Sequence, residues 1–217
     1  MKQNPYSQLN RKKILVTCGP TWVPIDDTRV ISNISSGTLG QIIADQFSAQ
    51  GARVTLLEGP VQNPRASGKI TIKKFQYYED YLKLIRAELK EPYTIVIHAA
   101  AVSDYRLKKQ FAQKLSSSHK VLNLRLVKTM KVINLVKKIN PKVTLVGFKL
   151  ASTMTRAIAK KKTNDLFIKA HCDYVVANSV RQNKYKGFIV DRSGALLAES
   201  NTRLGMARYL VRILNLS

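Results

Sequence analysis

The chain has 217 residues, 45% of them hydrophobic, which is enough for one domain with a substantial core and too apolar for a disordered chain. Its 37 Lys and Arg against 13 Asp and Glu give a net charge of +24, which points to an anionic partner: nucleic acid, an acidic membrane surface or a polyphosphate ligand. Cys18 and Cys172 lie far apart in apolar runs without CxxC spacing, which argues against a disulfide framework or a structural zinc site, and no apolar run is long enough to span a bilayer.

The opening MKQNPYSQLNRKK lacks the apolar stretch of a signal peptide, so residues 1–11 are expected as a flexible tail and 12–217 as a single cytoplasmic domain. KKILVTC, ending at Cys18, reads as a buried first strand closed by Gly-Pro. A long loop follows, then a helix through GTLGQIIADQFSAQ with Ser35 or Ser36 as its cap and Gly51 as its stop. RVTLLEG and ITIKKF are the next strands, a helix carries Tyr81, Leu82, Ile85 and Leu89, and TIVIHAA is the fourth strand. VLNLRLV alternates like a half-buried strand, and MKVINLVKKIN is a short helix before Pro141. KVTLVGF is a buried strand, residues from Ser152 to Ala170 a helix, and DYVVAN a further strand. GFIVDRSGALLAE reads as a hairpin turning at Arg192-Ser193-Gly194, with a closing helix near Thr202–Leu214. Strands alternating with helices predict an α/β, Rossmann-like domain with a mainly parallel sheet, crossover helices and a C-terminal β-hairpin.

The charge is unevenly placed. From Tyr105 to Asn164 there are 16 basic residues and no acidic one, so this segment holds two thirds of the excess. Within it, residues 106–120 are polar, basic and unpatterned, which suggests a mobile flap over an anion site.

Several residue groups could carry chemistry. Ser35, Ser36 and Gly37 open a helix, where free N–H groups favour phosphate. The dinucleotide fingerprint G-x-G-x-x-G is missing, because the first strand is followed by Cys18-Gly19-Pro20-Thr21. Ala99, Ala100 and Ala101 end a strand and suit either a planar ligand in the crevice or a neighbouring helix. Asp104 fits a Mg²⁺-bound phosphate, or a partner for Arg106. Asn33 and Arg29 could hold a substrate carboxylate, although Asn33 also suits a turn. Lys114 stands out among the flap lysines, though spacing does not separate it from Lys108, Lys109 or Lys120. His98, His119 and His171 have no metal-ligand spacing.

GPTWVPID, RVISNISSG, HAAAVSDYR, Lys114-Leu115-Ser116-Ser117, VKTMKVI, VGFK and DYVVAN occur in an order that resembles phosphopantothenoylcysteine synthetase, the ligase of coenzyme A biosynthesis. The resemblance runs from Ile14 to Leu214 and is to a stand-alone form, without the flavin-dependent decarboxylase to which many bacterial members are fused. It implies a homodimer with a Mg²⁺-dependent, two-step reaction. The carboxylate of 4′-phosphopantothenate attacks the α-phosphate of CTP, or of ATP, and pyrophosphate leaves; the amine of L-cysteine then attacks the acyl-nucleotide. Carried over, Asn33 and Lys114 would be catalytic. Arg29, Asn33, Ser35, Ser36, Gly37 and Ala100 would bind substrate. Gly19, Thr21, Ala99, Ala100, Asp104, Lys114, Val132, Ile133, Phe148 and Lys169 would bind the nucleotide, with Asp104 also near the metal.

The sequence departs from the family pattern at Pro20 and Val23, which replace a Gly and a Glu, at Met130-Lys131, where a Pro and an acid are common, and at Ser179, where Asp is common. Pro20 removes one backbone donor from the first loop. The alternative reading is a basic nucleic-acid-binding module with the acid-free segment as its footprint, although few aromatic residues interleave it. Tyr105 and Lys109 mimic the pair of short-chain dehydrogenases, but they follow a strand directly and lack the glycine fingerprint.

Overall fold

In the computed structural model, residues 8–64, 69–118 and 120–216 are described. Strand β1, Lys13–Cys18, is buried on both faces: Ile14, Val16 and Cys18 pack into one core and Leu15 into the other. That is why Ile14-Leu15-Val16 are apolar in succession rather than alternating, the mark of a central parallel strand. Two short strands, β2 (Trp22–Pro24) and β3 (Val30–Ser32), then form a hairpin inside the long first loop. Helix α1 (Thr38–Ala49) leads to β4 (Arg53–Glu58) and β5 (Thr71–Lys74), and α2 (Tyr78–Glu88) to β6 (Ile95–His98). A second small hairpin, β7 (Tyr105–Leu107) with β8 (Leu126–Lys128), encloses the basic segment. The remaining elements are α3 (Ile133–Ile139), β9 (Thr144–Leu150), α4 (Arg156–Ala170), β10 (Tyr174–Arg181), β11 (Lys184–Asp191), β12 (Leu196–Ser200) and α5 (Arg203–Leu216).

The main sheet has the order β12-β11-β10-β9-β6-β1-β4-β5; it is parallel from β10 to β5 and antiparallel at β10-β11-β12. Helices α1 and α5 cover one face through Ile43, Phe47, Met206 and Leu210. Helices α2 and α3 cover the other through Tyr81, Ile85 and Val136. The expected α/β architecture with a terminal antiparallel hairpin is therefore observed.

Local differences have physical causes. The cap of α1 is Gly37, in the left-handed region at φ 70°, and neither serine makes the expected cap. VLNLRLV forms a strand only at its last residues, because Val121 and Leu122 are exposed and have no sheet to pair with. β10 runs on past Asn178 into a tight hairpin whose turn residues, Gln182 and Asn183, both have positive φ, as a two-residue reverse turn requires. Within the segment expected as a tail, 1–11, Leu9 is fully buried in the α1–α5 core. Residues 1–7 of that tail, and His119, lie outside the described residues.

Candidate functional site

The chain adds β4 to one side of β1 and later β6 to the other, so a crevice opens where β1 and β6 end, as at a topological switch point. The two loops leaving these strands are joined: Ala101 N donates to Gly19 O at 2.8 Å and Thr21 N to Ala101 O at 3.3 Å. Gly19 has φ 78°, a conformation that favours glycine. Beneath the junction, Thr21 and Ser103 are buried and exchange hydrogen bonds, and Thr129 Oγ1 donates to Ser103 O at 2.6 Å. The Thr21 side chain is thus buried and engaged in holding the two loops together. Ala99 and Ala100 are half-buried at the end of β6, with Ala100 N donating to Thr17 Oγ1.

Gly37 and Gly40 separate in role. A Cβ at Gly40 would lie 2.5 Å from Cys18 Cβ, so this glycine lets α1 pack on β1. Ser36 Oγ accepts from Thr38 N and Thr38 Oγ1, and the first turn of α1 has no acidic residue, which leaves the helix start suited to an anion.

The first loop reaches over the crevice. Asn33 Nδ2 donates to Ala101 O and Val102 O at 3.2 and 3.3 Å. Asp26, whose side chain is fully buried, gathers the rest. Its Oδ1 accepts from Thr28 N (2.9 Å), Thr28 Oγ1 (3.1 Å) and Arg29 N (2.8 Å), and its Oδ2 from Arg29 Nη1 (3.0 Å) and Leu115 N (3.1 Å). Burial alone pushes this carboxyl up; the N–H groups of Leu115, Thr28 and Arg29 outweigh it and hold it well below the usual carboxylate range. Arg29 Nη1 also donates to Leu115 O at 3.2 Å, and Phe111 N to Ile25 O at 3.0 Å. The expected mobile flap is thus docked on the first loop, with Lys114 exposed between its two attachments.

On the far side, Asp104 is exposed and paired with Lys131. Val132 and Ile133 are buried at the head of α3, and Tyr78 Oη donates to Met130 O at 3.1 Å, fixing the loop before them. Phe148 lies one residue past the Gly147–His98 pair, level with the alanine turn. Lys169 is not brought to the crevice: it pairs with Asp165 in the last turn of α4, which leads to the amino end of β10, whereas the crevice lies at the carboxyl ends of β1 and β6. Under the alanines, Tyr81 Oη and His98 Nε2 lie 3.0 Å apart, and burial pushes the His98 imidazole down to about 4.

Among the described residues no cluster of three His, Cys, Asp or Glu could hold a metal on its own. Asp104 fits as a single carboxylate for a Mg²⁺ that arrives on phosphate oxygens, provided Lys131 releases it.

Residues 9–208 match the family described as DNA/pantothenate metabolism flavoprotein C-terminal domain. The chain belongs to this family. It is 36% identical over 182 residues to the coenzyme A biosynthesis bifunctional protein CoaBC of Thermococcus kodakarensis, covering 83% of this chain and 44% of that protein. The chain thus spans less than half the length of that relative. Among solved structures, the DNA/pantothenate metabolism flavoprotein from Streptococcus pneumoniae superposes with a TM-score of 0.84 at 28% identity, covering 94% of this chain and 99% of that one. The C-terminal domain of a CoaBC superposes with a TM-score of 0.77 at 25% identity, covering 96% of both chains. Among the described residues no helix is long and apolar enough to cross a membrane.

The synthetase resemblance assigned roles to Asn33, Arg29 and Lys114, but residue-by-residue reading missed Asp26, Ser103 and the Tyr81–His98 pair. Asp26 had one signal, an Arg three residues on in a turn-forming stretch; the partners of the others are far away in sequence.

Proposed function

We propose that this protein is a phosphopantothenate–cysteine ligase acting in the cytoplasm. The observation that carries the reading is the convergence, at the switch point of a synthetase-family fold, of the alanine turn, the Asn33–Arg29 loop and the Lys114 flap. The 4′-phosphopantothenate carboxylate attacks the α-phosphate of CTP or ATP, pyrophosphate leaves, and the amine of L-cysteine displaces the nucleotide from the mixed anhydride. Both first-step substrates are anions, so their approach requires cations; Lys114 supplies one, whereas the charge of Arg29 is balanced by Asp26. Lys114 reaches the triphosphate and offsets the charge that develops during attack. Ala99 and Ala100 leave room for the nucleotide, with Phe148 against it, Gly19 under its phosphates and Val132 and Ile133 offering main-chain groups to its base. The Ser35-Ser36-Gly37 helix start takes a phosphate of either substrate. Mg²⁺, held by Asp104, would neutralise triphosphate charge.

Ile34, Tyr105, Val121, Leu122 and Leu126 are exposed apolar side chains around the two small hairpins, and they support a homodimer through this region. The test of function is pyrophosphate release with Mg²⁺, phosphopantothenate and L-cysteine, comparing CTP with ATP. Release that requires both phosphopantothenate and a triphosphate is expected. Its absence, together with RNA binding that falls steeply with salt, would favour the nucleic-acid reading of the acid-free segment.

A further inference from the structure

We propose that Asp26 is a positioning residue: its buried carboxylate clasps the flap to the first loop and so sets where Lys114 can reach. The inference rests on the ligase reading for its effect on rate, but the clasp itself does not.

The five hydrogen bonds that the Asp26 carboxylate accepts divide by oxygen. The three on Oδ1 come from Thr28 and Arg29 and close a local turn, which any Asp or Asn in such a loop can make. The two on Oδ2 serve no turn. One comes from Leu115 N, 89 residues further along the chain, and the other from Arg29 Nη1. Arg29 Nη1 donates onward to Leu115 O, so both the N–H and the carbonyl of Leu115 are held, one by each member of the Asp26–Arg29 pair. This closed ring fixes the peptide next to Lys114, while the Lys114 side chain stays exposed. A buried charge is costly unless it is fully hydrogen-bonded, so the carboxylate and its ring of donors require one another. Phe111 N to Ile25 O is the second attachment, and Lys114 therefore lies on a short span between two fixed points.

Asp26→Asn isolates the clasp from the turn. With its amide oxygen kept toward the three Oδ1 donors, the new NH₂ group faces Leu115 N–H and Arg29 Nη1, which are also donors. The turn survives and the flap is released. Three results are expected. Amide exchange at Leu115 and tryptic cleavage after Lys114 speed up at least about tenfold. The kcat for pyrophosphate release falls at least about tenfold while the melting temperature stays within a few degrees. In a Lys114→Ala background, the same Asp26→Asn change costs less than about twofold, because the group it positions is already gone. Unchanged exchange at Leu115 overturns the clasp, and an equal loss with and without Lys114 overturns its positioning role. If Asp26→Asn does not fold, wild-type exchange decides: a Leu115 amide exchanging as fast as those of Ser116 and Ser117 overturns the proposal. A wild-type protein that releases no pyrophosphate overturns the ligase reading alone, since exchange at Leu115 still reports on the clasp.

Discussion

Asn33 Nδ2 lies 3.2 Å from Ala101 O, so the amide that the synthetase resemblance assigns to the substrate carboxylate holds the alanine turn in the free protein. Its second contact, to Val102 O, engages the remaining N–H. On the ligase reading, a substrate oxygen would replace one of these carbonyls and so loosen the first loop from the alanine turn. Asn33→Asp puts an anion against two carbonyl oxygens and beside an anionic substrate. The expected loss in pyrophosphate release is about 10²-fold or more, larger than for Asn33→Ala, which removes the donor without adding repulsion. Steady-state rates of the two variants at saturating triphosphate check this; an Asp variant as active as the Ala variant removes the electrostatic argument.

Lys114 has an exposed side chain, and no packing depends on it. Lys114→Ala should lower the rate of pyrophosphate release by about 10² to 10³, the usual cost of removing one group that stabilises developing charge. The melting temperature should move by less than about 2 °C, as for other surface substitutions. Calorimetry of phosphopantothenate binding to the variant should give an affinity within about threefold of wild type. A wild-type rate would leave the flap without a catalytic role.

Elements whose burial follows from their own composition were legible in the sequence. β1, β4, β6, β9 and the start of β10 are rich in apolar, largely β-branched residues because they lie between two helical layers, and α1, α2 and α5 show helical spacing because each covers one face. Features that depend on pairing between distant residues were not. The β2–β3 and β7–β8 hairpins are only three residues per strand, too short for a periodic signal. VLNLRLV has strand alternation, but only Leu126 and Val127 find a strand partner, in β7, and none of it joins the main sheet. The acid-free segment gains carboxylates from outside itself, through Lys131–Asp104, Lys137–Asp173 and Arg156–Glu199. The synthetase resemblance singles out Asn33 and Lys114, but the ring through Asp26 and Leu115 required the fold.

Gly40→Ala tests the close packing of α1 on β1. Alanine favours a helix over glycine by about 1 kcal/mol, which would stabilise an exposed position. Here the added Cβ would lie 2.5 Å from Cys18 Cβ and 3.3 Å from Thr17 O, neither of which belongs to a flexible side-chain end. Overpacking of this kind costs about 1–3 kcal/mol and should win, lowering the melting temperature by several degrees. Adding Cys18→Ala should not rescue it, because the Cβ that is struck remains. Thermal unfolding of the single and double variants checks both statements, and a stabilised Gly40→Ala protein would show that α1 shifts freely on β1.

The Tyr81–His98 pair predicts a pH dependence with a definite sign. Burial holds the folded His98 pKa at about 4, against 6.5 for an exposed imidazole. Above pH 6.5 both folded and unfolded chains carry it neutral, and it contributes no slope. Between 6.5 and 4 the unfolded chain takes up a proton that the folded chain refuses, so stability falls as pH falls, and the loss levels off below 4. A depression from 6.5 to about 4 corresponds to about 3 kcal/mol. His98→Asn keeps a polar group that can meet Tyr81 Oη but does not titrate in this range. The variant should be less stable than wild type at pH 8, because the smaller side chain packs less well, and the gap should narrow as pH falls toward 4. Carboxylates held low in the fold, such as Asp26, Asp191 and Glu199, are common to both proteins and cancel in the difference. Urea unfolding from pH 8 to pH 4.5 reads this out, and two curves that stay parallel would mean that His98 takes up its proton in the folded state as readily as in the unfolded chain.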